Sequence, residues 1–249
     1  MSGHSKWATI KRKKGKADSQ RGKLFSKLAR EITIAAKLGS GDPDGNPRLR
    51  MAVDKARESN MPVDNIDRAI QKGTGGGEGA NLEDIILEGY GPGGVAVLVK
   101  AMTDNRNRSV SDLRHIFTRH GGNLGAAGCV AWMFKEKGLI HIEKSQASEE
   151  QVMEVAADAG AEDIRSEPEA EVIEVETSLA NYDKVKNTLA AKFKIASSEI
   201  TMVPQNSVPV KGEDARKVIA MVEELEEHDD VQDVYANFDI PDELMGKDF

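Results

Sequence analysis

The side chains able to do chemistry are few and scattered. Five histidines, His4, His115, His120, His141 and His228, fall in four predicted segments, and no pair has the His-Glu-x-x-His spacing that sets two imidazoles around one zinc ion. His115 and His120 share a predicted helix but lie about 140° apart around it, which is wrong for chelating a single ion. Cys129, the sole cysteine, sits in the apolar run GCVAWMF. One cysteine excludes a disulfide framework and a zinc site made of thiolates, and the surrounding run predicts a small buried residue. The acids of EELEEHDD (223–230) lack the alternating Asp/Asn spacing and central glycine of a calcium loop, and read as a solvated helix end. These residues predict no catalytic set, no metal, no cofactor and no small-molecule substrate.

Two polar clusters point instead to anions. TDNRNR (103–108) follows the apolar run VAVLVKAM and precedes a helical pattern, so Asp104 or Asn105 can cap that helix while Arg106 and Arg108 project near its N-terminus. Such a corner is either a secondary anion site or a capped strand–helix junction with solvated arginines. The larger cluster is at the start of the chain. From Lys6 to Lys23 the positive residues are Lys6, Lys11, Arg12, Lys13, Lys14, Lys16, Arg21 and Lys23, against the single acid Asp18. Helical spacing continues the charge, since Lys23, Lys27, Arg30 and Lys37 fall within an arc of about 80° and form a stripe beside the apolar face. An arm this charged does not fold alone, and its continuity with the stripe matches a phosphate backbone. Six phosphate contacts on duplex would make affinity fall about a thousandfold between 50 and 200 mM salt. Trp7 either stacks on a base or anchors the arm.

That charge stands out because the whole chain of 249 residues has a net charge of -8. Residues 1–80 carry 17 Lys and Arg against 9 Asp and Glu, residues 81–137 carry 7 against 6, and residues 138–249 carry 10 against 27. The acidic part competes as a partner for the arm, although screening beyond about 8 Å weighs against such a clasp as its main role. Net charge of this kind speaks of partners, not of fold. No window approaches the roughly 20 apolar residues of a membrane span, and the N-terminus lacks the apolar run of a secretory signal. Its basic residues are mostly lysine, unlike a mitochondrial transit peptide, so a cytoplasmic protein without a membrane partner is expected.

The elements that must position these residues change character along the chain. Helices are predicted at 23–38 (Leu24, Leu28, Ile32 and Ala35 inward, Gly39 as a left-handed C-cap), 47–59 (Leu49, Val53, Ala56 inward) and 62–72 (Ile66, Ile70 inward), with Pro47 and Pro62 in first turns and Gly73 at the end. GTGGGEG (73–79) reads as a linker, because it lacks the flanking strand and helix of a phosphate loop. Strands then alternate with helices: strands at 84–90 and 94–102 around the turn GYGPGG (89–94), a helix at 107–120 and a strand at 126–134. A strand at 138–143, a helix at 149–160, a strand pair within 162–177, a helix at 181–193 and a strand at 197–203 follow, the split order of a ferredoxin-like sandwich. A helix at 213–227 and a strand at 231–238 end the pattern. The expected class is α+β, a three-domain arrangement. A basic arm and helical domain (1–80) precedes two α+β domains with antiparallel or mixed sheets, one ferredoxin-like (138–204) and inserted in the other (81–137 plus 205–249).

Several stretches carry a family resemblance: GHSKWATIK (3–11), RGKLF (21–25), GDPDGNPRLR (41–50), NMPVDNIDRAI (60–70), GYGPGGVAV (89–97), TDNRNR (103–108) and GGNLG (121–125). From Ser2 to beyond Asp239 the chain resembles the YebC/PmpR-type family of transcriptional regulatory proteins. The resemblance implies a helical domain followed by two α+β domains, no cofactor and the bacterial cytoplasm; that the protein is not an enzyme is read from the residues above. The resemblance also implies two rival partners. One is DNA, in transcriptional regulation; the other is the ribosome and its structured RNA, in translational activation, known for mitochondrial relatives and proposed for bacterial ones on ribosomes stalled at proline-rich sequences. Two positions depart from the pattern: Arg12 stands where many relatives have His, and Gly76 where many have an acid. Both leave the basic arm intact. The resemblance supplies no binding residues, so the assignment of Lys6 to Lys37 rests on charge, and no module with assigned base-reading positions is present.

Overall fold

The computed structural model describes residues 18–75, 82–145, 147–166 and 171–240, with side chains from Arg21 onward. Helical periodicity is realised first. Helices α1 (Asp18–Leu38), α2 (Pro47–Glu58) and α3 (Val63–Thr74) bury the apolar stripes read from their spacing, with Leu28, Ile32, Leu49, Val53 and Ile66 inside one cluster. Asn46 joins two of these helices. Its amide nitrogen donates to the carbonyls of Ala35 and Ser40 at the end of α1, and its side-chain oxygen accepts from the Leu49 N–H at the start of α2.

That contact corrects the reading of Gly39. Gly39 is not among the positive-φ glycines; a Cβ there would lie 2.4 Å from the Asn46 amide nitrogen, so glycine is required by close approach and not by a left-handed cap. Gly73 likewise lies inside α3 and does not end it. A Cβ on Gly73 would meet the Thr33 carbonyl oxygen at 2.4 Å and the Ala36 Cβ at 2.8 Å, because α1 and α3 pack backbone to backbone there. Of the expected linker, residues 73–75 belong to this helix and its cap, and 76–79 lie outside the described residues.

A four-stranded antiparallel sheet follows, in the order β3-β1-β2-β9, from β1 (Glu83–Tyr90), β2 (Ala96–Thr103), β3 (Asn123–Leu124) and β9 (Val231–Ala236). Pro92, with Gly93 and Gly94 at φ 70° and 78°, turns β1 into β2, as the glycines of the sequence require. Central β2 is buried along nearly its whole length, and α4 (Arg106–Arg119) and α7 (Gly212–Glu227) cover the sheet with Leu113, Phe117, Val218, Val222 and Leu225. The expected strand at 126–134 is absent. Its segment is a loop and a single 3-10 turn, Ala131–Met133, because its N–H groups are drawn to a side chain instead of a neighbouring strand.

The second sheet has the order β5-β6-β4-β7, from β4 (Phe134–Glu143), β5 (Asp163–Arg165), β6 (Val172–Thr177) and β7 (Ile195–Pro204), all antiparallel. Helices α5 (Glu149–Ala159) and α6 (Tyr182–Ala190) connect β4 to β5 and β6 to β7, the ferredoxin-like order. Ile140, Ile142, Val152, Val175 and Leu189 form its core. A two-residue parallel pair, β8 (Val208–Pro209) with β10 (Phe238–Asp239), lies in the same compact unit, which comprises Trp132–Pro209 and Asn237–Ile240; the other unit comprises the described part of Ile10–Ala131 with Val210–Ala236. No helix among the described residues is long and apolar enough to cross a membrane.

The helix contact at Gly73 yields a paired test. Gly73→Ala should destabilise by about 2 kcal/mol through overpacking, whereas Gly22→Ala, which meets nothing within 4 Å in α1, should stabilise by up to about 1 kcal/mol. Urea denaturation of the two variants checks both signs.

Candidate nucleic-acid interface

The basic stripe of α1 meets the acidic end of α7. Lys27 Nζ donates to the Glu226 carbonyl at 2.7 Å and Lys23 Nζ to the Glu227 carbonyl at 3.4 Å. Arg30 reaches the carbonyls of Asp229 and Met102 and pairs with Asp230 at 2.7 Å, and Lys37 donates to the Leu82 carbonyl at 2.9 Å. The last carbonyls of a helix have no intrahelical partner and carry the negative end of its dipole, so lysine and arginine are the side chains that satisfy them. Part-buried contacts such as that of Lys27 with Glu226 and that of Arg30 with Asp230 are screened much less than a long-range clasp. Arg21, two residues before Lys23, is exposed. Lys6, Lys11, Arg12, Lys13, Lys14 and Lys16, together with Trp7, lie outside the described residues.

EELEEHDD is therefore not a solvated helix end. Asp230 is 3% exposed and gathers four donors: Ser109 Oγ at 2.6 Å, Arg108 Nη2 at 2.9 Å, Thr103 Oγ1 at 3.3 Å and, on its other oxygen, Arg30 Nη1. Burial alone would raise its carboxyl, but the Ser109 and Arg108 hydrogen bonds and the charges of Arg30 and Arg108 hold it at about 2. Nearby, Glu224 pairs with Arg119 and with His120 at 2.7 Å. Burial would raise this carboxyl too, yet the two partners keep it below the ordinary carboxylate value.

These contacts divide the two arginines of TDNRNR. Asn105 is the N-cap of α4, accepting from the Arg108 N–H at 3.1 Å, and Thr103 Oγ1 accepts the Asn105 N–H. Arg108 is tied to Asp104 and Asp230, both at 2.9 Å, and belongs to the corner. Arg106 faces a different place, a groove of about 460 Å³ between α4 and β1, shared with Arg114. A second cleft, about 510 Å³, runs along α1 and α3 past Phe25, Arg30, Arg68 and Lys72.

Glu88, on the wall of the groove, carries no signal in the sequence. It is 6% exposed, and its carboxylate accepts the N–H groups of Gly128 at 2.6 Å, Val130 at 2.8 Å and Ala131 at 2.7 Å. Burial pushes its carboxyl up, but the three backbone donors outweigh that and hold it below the usual range. A buried acid in an amide cradle is what folds residues 128–131 back on β1, and Tyr90 donates to the Cys129 carbonyl beside it. Cys129 itself is half-buried, not enclosed as expected; burial and then the Glu88 charge push its thiol up, away from reactivity.

Among the described histidines, His120, His141 and His228 sit in separate structural contacts. His141, buried in β4, lies 3.0 Å from Ser197 Oγ and 3.3 Å from Glu174 on the neighbouring strands, while His228 accepts the Asp230 N–H. Among the described residues no group of three or more His, Cys, Asp or Glu is placed to hold a metal ion.

The Asp230 cluster has a pH signature. Its carboxyl is held at about 2 against an ordinary 3.8, so the stabilisation is fully present above pH 4 and is lost as pH falls from 4 towards 2. Asp230→Asn should lose about 2 kcal/mol at pH 7. Its stability should approach that of the wild type near pH 2, which denaturant titrations across pH measure.

Comparison with known proteins follows the same outline. Residues 5–76 match the TACO1/YebC protein N-terminal domain and residues 82–238 the TACO1/YebC second and third domain. A probable transcriptional regulatory protein of Natranaerobius thermophilus is 57% identical over 249 residues, 98% of this chain and 99% of that one. A protein of the same description from Dictyoglomus turgidum is 56% identical over 247 residues, 98% of each chain. The crystal structure of a conserved hypothetical protein from Aquifex aeolicus has a TM-score of 0.81 at 50% identity, covering 93% of this chain and 96% of that one. With the helical region and both α+β regions matched from end to end, the chain belongs to the TACO1/YebC family.

Proposed function

We propose that this protein is a non-enzymatic, nucleic-acid-binding regulator of gene expression that acts on DNA in the cytoplasm through its basic N-terminal arm. The observation that carries the reading is the division of positive charge along one stretch. Lys23, Lys27 and Arg30 fasten α1 to the end of α7. The charges earlier in the sequence, Lys6 to Arg21, have one acid among them. A tethered run of lysines gains affinity by releasing counterions from a polyphosphate, which needs no shaped pocket and no reacting group. The exposed faces of Lys23 and Lys37 extend the same footprint. The curated relatives described as probable transcriptional regulatory proteins support a regulatory role. The acidic region, 10 basic residues against 27 acids over 138–249, repels phosphate and so directs docking to the basic end.

Replacing Lys11, Arg12, Lys13 and Lys14 with alanine should weaken binding to a duplex, reduce the slope of log affinity against log salt by about 3 to 4 units, and leave unfolding cooperative. Unchanged affinity and slope would sink the proposal. Crosslinking in cells followed by sequencing decides the partner: enrichment of discrete promoters supports DNA, and ribosomal RNA without promoters transfers the same arm to a translation factor.

A further inference from the structure

The groove between α4 and β1 presents a chemistry different from that of the arm. We infer that it binds one unpaired nucleotide of a single-stranded nucleic acid, with Arg106 and Arg114 on the flanking phosphates and the base against the apolar wall. The inference rests on the nucleic-acid reading above and adds a second contact remote from the arm in sequence.

Four of the arginines of α4 sort into two pairs. Arg108 and Arg119 are in ion pairs with Asp230 and Glu224. Arg106 and Arg114 make no hydrogen bond or ion pair with any described residue, and both line the groove. Val110 lies between them in the same i, i+4, i+8 row, so the helix presents cation, apolar side chain and cation over about 12 Å. Two side chains of arginine length converge readily from that separation. The opposite wall supplies Ile86, 53% exposed on β1, with Leu87 and Leu124 beside it. Glu88 is the acid of the groove, and its carboxylate is met by three backbone N–H groups.

A duplex has no use for that apolar wall, because its bases are stacked inside and only phosphate and groove edges are offered. An unpaired nucleotide offers a flat apolar face, a hydrogen-bonding edge and a phosphate on each side. The groove answers each of them. Its volume of about 460 Å³ is within the range of small-ligand sites. Asn107 and Ser111, on the same side of α4, supply an amide and a hydroxyl to meet a base edge. An acidic polypeptide would satisfy the arginines but would leave the apolar wall and the amide without a role.

The test compares fluorescein-labelled 12-residue oligouridylate, oligodeoxyuridylate and a duplex of equal length by anisotropy at 50 and 200 mM salt. Arg106→Ala with Arg114→Ala should weaken single-strand binding on the order of tenfold and lower the single-strand salt slope by about 1.4. Duplex binding should be nearly unchanged, and so should the melting temperature, since neither arginine has a partner among the described residues. Ile86→Ser, at an exposed position, gives an independent reading: weaker single-strand binding with an unchanged slope. A preference for oligouridylate over oligodeoxyuridylate, which differ only at the 2′-hydroxyl, identifies the strand as RNA and the reverse as DNA, and either supports the groove. If both groove variants bind single strands as the wild type does while the four-alanine arm variant does not, the groove is overturned and the arm reading stands. If the wild type binds none of the probes, both readings fall. If polyglutamate displaces the oligouridylate as effectively as unlabelled oligouridylate does, the occupant is an acidic polypeptide and the inference is overturned.

Discussion

One buried carboxylate organises the unit that carries the basic helix. Asp230 sits at the turn between α7 and β9, 3% exposed, where an unpaired charge would be strongly destabilising. Two arginines and two hydroxyls converge on it from three places: Arg30 from α1, Thr103 from the end of β2, and Arg108 and Ser109 from the first turn of α4. Satisfying that one group fixes the end of the central strand, the start of the helix that follows it and the position of the basic helix against both. The carbonyls of Glu226, Glu227 and Asp229 add a second set of acceptors for the same basic stripe.

This arrangement changes how the charge of the chain should be counted. A stripe of lysine and arginine on a surface helix reads as free for phosphate, yet most of it here serves helix termini and a buried acid. Positive charge is therefore separated by role. Residues that hold the fold contact carbonyls and carboxylates at hydrogen-bond distance. Arg106 and Arg114, by contrast, line a groove whose own acid, Glu88, is met by three backbone N–H groups. The unlike fates of Arg106 and Arg108, two residues apart, follow from helical geometry: about 200° separates them around α4, so one faces Asp230 and the other faces β1.

Much of the fold was legible because it depends on local rules. Periodicity placed α1 to α3 and their inward residues, Pro47 and Asn105 marked helix starts, and the Gly-rich turn after Tyr90 marked the hairpin. The order of strands and helices from β4 to β7 was enough for a ferredoxin-like arrangement. The errors share one cause, which is partners distant in sequence. Gly39 and Gly73 look like helix ends by type, but the reasons they are glycine are an Asn46 amide and the backbone of α1. The run at 126–134 has the apolar character of a strand, and a carboxylate about 40 residues earlier, at Glu88, takes its N–H groups.

The sequence by itself determined the α+β class, the family resemblance and the gathering of positive charge at the start of an acidic chain, since each is a matter of composition, period or motif. Only the tertiary structure decided which cations are occupied. Whether Lys27, Arg30 or Arg108 meets water or an acceptor depends on where α7 ends in space, and whether Arg106 and Arg114 share a groove depends on β1 lying beside α4. Charge is a property of a residue, but its availability is set by neighbours that sequence distance hides, and at hydrogen-bond range in a poorly hydrated contact those neighbours decide the energy.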